Sequence, residues 1–237
     1  MLDEVVTPKT RAIVINTPNN PTGRVFDREE LQAIADICLE HDILAITDEI
    51  YAHIYYEGEH LPLATFDGMR DRTITISGLS KTFSVTGWRI GTIIAPAALT
   101  DAIRKVHDFL TVGAPAPLQE ACAVGLDELP DAYYEEMVTS YRARGEVLVR
   151  ALQDAGFRCA FPQGAYYVLA DFSALSDEDS MTFGKRLTAE AGVAPVPGGS
   201  FFSRAERGHS LARFVFCKRI ETLHEAGDRL RAFAARG

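Results

Sequence analysis

The chain has 237 residues, 47% of them hydrophobic and 24% charged, enough to bury one large core or two small ones, which excludes a peptide, a fibre and a disordered tail. Its formal net charge is −9 and its basic residues are scattered rather than gathered into a stripe, which argues against a nucleic-acid or anionic-membrane surface and for a small partner. Four cysteines, Cys38, Cys122, Cys159 and Cys217, stand far apart with no CxxC pair, so neither a disulfide framework nor a structural zinc site is expected, and a reducing, cytoplasmic setting fits.

Residues 11–16 form a short apolar run that stops at Thr17-Pro18-Asn19-Asn20-Pro21-Thr22-Gly23, whose prolines and glycine forbid regular structure: a buried strand, then a rigid loop. Asp27 stands three residues before Glu30 in a capping-box arrangement, and Leu31, Ile34, Ala35, Cys38 and Leu39 recur at helical spacing, predicting a helix over 28–41. Residues 43–48 are apolar almost to their end, the pattern of a strand covered on both faces, and strand–helix–strand in this order predicts a βαβ unit. Two further strands are expected over 73–77 and 89–95, separated by a loop holding Lys81. Beyond Pro96 the spacing predicts helices near 117–127 and over 131–155. After Gly156 short strands (157–161, 165–172, 213–217) alternate with helices (179–191, 220–234), so a second α+β layer is expected. No apolar run approaches the roughly 18 residues that span a bilayer, so no membrane segment is expected.

In open α/β sheets, ligands gather at the carboxyl ends of the strands. Asn20 follows the first strand, Asp48 ends the second and Lys81 follows the third. Singly, each has an ordinary structural explanation: turn chemistry, a cap, a solvated amine. Together at one sheet edge they point to chemistry. Lys81 lies in Ser77-Gly78-Leu79-Ser80-Lys81-Thr82-Phe83-Ser84-Val85-Thr86-Gly87-Trp88-Arg89, where small residues let a ligand approach the backbone and two aromatics can exclude water. A lysine amine so placed is a nucleophile toward a carbonyl, and Arg89, with hydroxyls from Ser77 and Ser80, suits a phosphate. An aldehyde cofactor bearing a phosphate is implied.

These segments resemble the fold-type I, class I/II aminotransferases that use pyridoxal 5′-phosphate (PLP). Asn19-Asn20-Pro21-Thr22-Gly23, Asp48-Glu49-Ile50-Tyr51, the lysine segment and Arg213-Phe214-Val215-Phe216 stand in the family's order and at comparable spacing, with Gly164-Ala165-Tyr166-Tyr167 and Pro197-Gly198-Gly199-Ser200-Phe201 extending the likeness over essentially the whole chain. The resemblance implies an α/β fold: a three-layer, partial parallel or mixed sheet of the large domain (residues 1–140), followed by a small C-terminal α+β domain (141–237). It implies that Lys81 forms the Schiff base with the cofactor and then shuttles the proton, that Asp48 pairs with the pyridine nitrogen, and that Asn20 and Tyr51 hydrogen-bond the ring's phenolic oxygen. Arg89 would bind phosphate with Ser77 or Ser80, since the position three before the lysine, a serine in some relatives, is Gly78 here. Arg213, with Asn20, would take the substrate carboxylate, while Tyr166 and Phe201 would line the pocket. The substrates implied are an amino acid and a 2-oxo acid, the assembly a homodimer. The six histidines show no metal-ligand spacing, and no metal is expected.

The family also carries a long section before the Asn-Pro loop, with a phosphate-holding loop and a ring-stacking aromatic, that has no counterpart here. Half a parallel sheet would leave apolar edges open, and PLP would be held weakly. The alternatives to an aminotransferase are a PLP-dependent β-carbon lyase, which shares every motif, and a catalytically silent remnant.

Overall fold

The computed structural model describes Leu2 and residues 4–236. They fall into two units: the residues up to Pro18 with Val25–Glu135, and Asn19–Arg24 with the residues from Glu136 onward.

In the first unit, strand β1 (Ala12–Asn16) runs into helix α1 (Arg28–Glu40) and then β2 (Leu44–Asp48), which lies parallel to β1 in the register Asn16 to Asp48. The helix begins where the capping box predicts. The Glu30 amide donates to Asp27 Oδ1 at 2.9 Å and the Asp27 amide to Glu30 Oε2 at 3.1 Å, so two of the donors that a helix start leaves orphaned are satisfied reciprocally. Its apolar stripe, Leu31, Ile34, Ala35, Ile37 and Cys38, packs with Ile15, Ile43, Ala45, Leu63, Phe66 and Met69 into one core. Strand β3 (Thr73–Gly78) adds in parallel to β2, and β4 (Gly91–Ile94) closes the order β1-β2-β3-β4 in antiparallel pairing.

Strand β2, expected to be covered on both faces, has no exposed residue, whereas the outer strands β1 and β4 leave apolar side chains open, Val14 72% and Ile94 68% exposed. Lys81 lies in a one-turn helix, α2 (Leu79–Thr82), rather than a loop. Its small and apolar neighbours permit that turn, and the Phe83 amide closes it onto the Leu79 carbonyl. The fourth strand starts at Gly91, not Arg89, since Arg89 takes a left-handed backbone (φ 57°) that breaks the extended run. Helices α3 (Ala97–Leu110) and α4 (Ala116–Glu128) follow; α3, whose bounds the sequence pattern left unspecified, has no buried residue, and Phe109 is 94% exposed.

The long helix α5 (Asp131–Asp154) leads into the second unit, an antiparallel sheet of β5 (Tyr167–Asp171), β6 (Val196–Pro197) and β7 (Leu211–Val215) in the order β5-β7-β6. Helices α6 (Ser180–Ala191) and α7 (Ile220–Ala234) accompany it. Asp179 caps α6 by accepting from the Met181 and Thr182 amides, and Gly192 ends it in the left-handed conformation. The core is aromatic: Phe172 and Phe183 stack with ring centres 3.9 Å apart, and Phe157, Phe214 and Phe233 meet this group edge-on. Residues 157–161 are not a strand. Arg158 and Asp171 exchange one pair of backbone hydrogen bonds at 2.9 Å, and Pro162, without an N–H, cannot extend the ladder. Strand β7 lies two residues earlier than expected, because its ladder begins at the pairing of Leu211 with Asp171.

Candidate active site

Asp48 and Lys81 owe their placement to the parallel pairing of β2 with β3. Asp48 pairs with Ile76 in the ladder, and Lys81 follows Ile76 by one strand end and one helical step, so both sit at the carboxyl edge of adjacent strands, where α/β sheets bind ligands. The strand end at Asp48 is held firmly. Its carbonyl accepts from Asn16 Nδ2 at 3.1 Å and from the Thr17 amide at 3.2 Å, while its carboxylate accepts from the Ile50 amide at 3.2 Å. Tyr51, in the turn that follows, is 2% exposed. Ser80 and Lys81 are half-buried on α2.

Ser77 and Arg89 line one open cavity of about 780 Å³, with Thr92, Arg104, His107 and Gln119 among its other walls. Asp48 and Lys81 are not among the lining residues. Ser77 Oγ donates to the Glu49 carbonyl at 3.3 Å, and Arg89 Nη1 to the Thr86 carbonyl at 3.1 Å. A hydroxyl and a permanent cation thus line the same space, the cation on a left-handed residue whose cost, of order 1–3 kcal/mol, the surrounding structure must offset.

Asn20 and Arg213 belong to the second unit, and there the structure brings them together across the sequence: Arg213 Nη1 donates to Asn20 Oδ1 at 2.6 Å. The Asn20 loop is pinned by backbone bonds, Gly23 amide to Asn19 carbonyl at 2.8 Å and Gly164 amide to Gly23 carbonyl at 2.7 Å. The guanidinium carbon lies 4.2 Å from the Tyr167 ring centre and 4.9 Å from that of Phe201. Two ring faces therefore hold the cation's plane, and its Nε is buried without a hydrogen-bond partner. Such an arrangement suits a forked contact with a carboxylate. Phe201 ends the motif Pro197-Gly198-Gly199-Ser200-Phe201. The second ring is Tyr167, however; Tyr166 is buried against Tyr141, centres 5.5 Å apart. The strand period could have separated them, since Tyr167 and Leu169 share one face of β5 and Arg213 pairs with Leu169.

Also absent from the sequence reading is a buried pair beside Asp48. Glu49 Oε2 lies 2.9 Å from His60 Nε2, with both side chains under one-tenth exposed. Glu49 follows the motif aspartate directly, but nothing in the sequence links it to a histidine 11 residues away.

The sequence profile of the family described as aminotransferase class I and II matches residues 2–230. A probable N-succinyldiaminopimelate aminotransferase, DapC, of Mycobacterium tuberculosis is 41% identical over 99% of this chain and 61% of its own length. The kynurenine–oxoglutarate transaminase of Dictyostelium discoideum is 36% identical over 94% of this chain and 57% of its own. The solved structure of N-succinyldiaminopimelate aminotransferase from Mycobacterium tuberculosis superposes with a TM-score of 0.94 at 43% identity, covering 98% of this chain and 60% of that one. The chain thus spans about 60% of the length of these relatives, all of which bear aminotransferase names rather than lyase names.

Proposed function

Because the chain belongs to the class I and II aminotransferase family, we propose that it carries the lysine-bearing part of a pyridoxal 5′-phosphate site in a protein that exchanges amino and oxo groups between an amino acid and a 2-oxo acid. The observation that carries this reading is the register that sets Asp48 and Lys81 at the carboxyl ends of neighbouring parallel strands.

The residues fit the cofactor. In the first unit Ser77 and Arg89 would offer a hydroxyl and a fixed cation to its phosphate from one cavity wall, Asp48 a carboxylate to its ring nitrogen and Tyr51 a hydroxyl to its phenolic oxygen; Asn20, in the second unit, is assigned to the same oxygen on the family resemblance alone. The buried, unpartnered Nε of Arg213 is a donor that an incoming carboxylate would relieve. When bound, PLP supplies an aldehyde that condenses with amines and a ring that withdraws electrons from the substrate α-carbon. Lys81 would be the amine that anchors it and, once released, the base whose Nζ takes and returns the α-proton. Arg213 would fork onto the substrate's α-carboxylate, with the rings of Tyr167 and Phe201 keeping the fork in plane. Ser80 is assigned to the phosphate as a second hydroxyl.

The proposal extends to a cytoplasmic homodimer, with residues 1–140 as part of the PLP-binding domain and residues 141–237 as the small domain; four free cysteines accord with a reducing compartment. Among the described residues no helix is long and apolar enough to cross a membrane.

The test is borohydride reduction in the presence of PLP, followed by intact mass and peptide mapping. A gain of one cofactor at Lys81, absent from Lys81→Ala, is expected, as is 2-oxo acid release from an amino donor. No gain, or a gain that survives Lys81→Ala, overturns the cofactor assignment. Arg213→Gln should lower kcat/KM by roughly 10- to 150-fold, the loss of about 1.5–3 kcal/mol from a charged hydrogen-bonded contact.

A further inference from the structure

Thr47 and Glu49 flank Asp48, and the two-residue strand period puts their side chains on the side opposite its carboxylate. There Glu49 is almost fully enclosed. Its Oε1 accepts from Thr47 Oγ1 at 2.8 Å and its Oε2 meets His60 Nε2 at 2.9 Å, and Thr47 itself is 1% exposed. His60 Nδ1 is buried with no hydrogen-bond partner, so the tautomer carrying its proton on Nε2, donating to Glu49, leaves only a lone pair unmet. Beside the pair, the pKa of His53 is lowered by its own burial and by the proximity of His60.

A buried carboxylate held by two side-chain hydrogen bonds is fixed in place, and a residue so fixed next to Asp48 can have a positioning role. The backbone of Glu49 supplies one. Its amide donates to the Ile76 carbonyl at 2.8 Å, and its carbonyl accepts from the Ala52 amide at 3.0 Å and Ser77 Oγ at 3.3 Å. Glu49 therefore ties the end of β2, which carries Asp48, to the end of β3, which carries Ser77.

We propose that Glu49 and His60, clamped by Thr47, form a positioning pair that sets the direction of the Asp48 carboxylate and of the Ser77 hydroxyl. The pair's effect on cofactor binding rests on the PLP reading above; its effect on Asp48 does not. Two measurements separate them. In the cofactor-free protein, the Ile50 amide that donates to Asp48 reports the carboxylate's direction through hydrogen exchange. In Glu49→Leu/His60→Phe, which fills the site with apolar volume, we expect Ile50 protection to fall at least tenfold while amides of the α1 core keep theirs. Unchanged Ile50 protection, or a uniform loss across the core, overturns the proposal. Should the double variant fail to fold, Thr47→Val, nearly isosteric and removing only one clamp, should give a smaller selective loss, and no selective loss there overturns the proposal equally. The second measurement is PLP affinity: a folded double variant is expected to bind at least tenfold more weakly, with Glu49→Gln recovering most of the loss. Wild-type affinity in the double variant overturns the link to the cofactor, whereas absence of any PLP binding by the wild-type protein overturns the PLP reading and leaves the exchange result to decide the pair.

Discussion

Gly23→Ala is expected to damage both the second unit and the contact between Asn20 and Arg213 within it. Gly23 has φ +70°, and a Cβ there would stand 2.4 Å from Pro162 Cβ and 2.7 Å from the Gly164 carbonyl oxygen. Neither neighbour is the free end of a flexible chain. The left-handed conformation costs a non-glycine residue about 1–2 kcal/mol, and forcing extra volume into a filled site adds about 1–3 kcal/mol, giving about 2–5 kcal/mol in all. Because the Gly164 amide bonds the Gly23 carbonyl at 2.7 Å, relief of the clash must move the loop that presents Asn20 to Arg213. Gly192→Ala is the control within the same unit. It has φ +67°, but the added Cβ would meet only the guanidinium end of Arg229 at 2.5 Å, which can swing away, so about 1–2 kcal/mol is expected from the backbone alone. Urea unfolding followed by far-ultraviolet circular dichroism, read as a shift of midpoint at constant slope, measures both. Equal destabilisation by the two variants would refute the argument that the Pro162–Gly164 wall, rather than the backbone angle, makes Gly23 necessary.

Phe183→Ala should cost about 3–5 kcal/mol, since it removes a fully buried ring stacked on Phe172 and leaves a cavity; a loss under 1 kcal/mol in chemical denaturation would contradict the packing described. His53 packs on Tyr134, ring centres 4.9 Å apart, and its pKa is depressed below the ordinary value of about 6.5. Its contribution to stability is therefore complete above about pH 6.5 and is lost as pH falls through the lower folded value. His53→Phe, which keeps the ring contact, should show a flatter stability profile between pH 7 and 5 than the wild type, and parallel profiles would refute the assignment. Burial pushes the Cys159 thiol up to about 11, so about one molecule in a thousand carries the thiolate at pH 8 and alkylation by iodoacetamide should be slow until urea opens the fold. Rapid labelling of Cys159 in the native protein, seen by peptide mass, would show the site to be open.

Helix α1 and the loop after β1 were legible because the signals that make them are local: a capping box, a helical stripe and prolines that exclude other conformations. The order of Asn20, Asp48, Lys81 and Arg213 along the chain was legible for the same reason, each lying beside a recognisable strand. Local signals failed where pairing decides. The run 157–161 is as apolar as a strand, yet only Arg158 finds a partner, in Asp171. The segment around Lys81 reads as a loop because a four-residue helix offers no period to detect.

What the sequence by itself determined is which residues are available and which short stretches must bend, coil or extend, since backbone sterics and side-chain periodicity act over a few residues. Only the tertiary structure decided that Asn20 meets Arg213 across 193 residues and that Tyr167, not its neighbour Tyr166, faces that guanidinium. It also decided that Glu49 is sealed against His60 behind Asp48. The physical reason is common to all three: such contacts form when strand register and core packing bring distant segments together, and a one-residue slip in the register of β5 or β7 would turn Tyr167 or Arg213 to the opposite face.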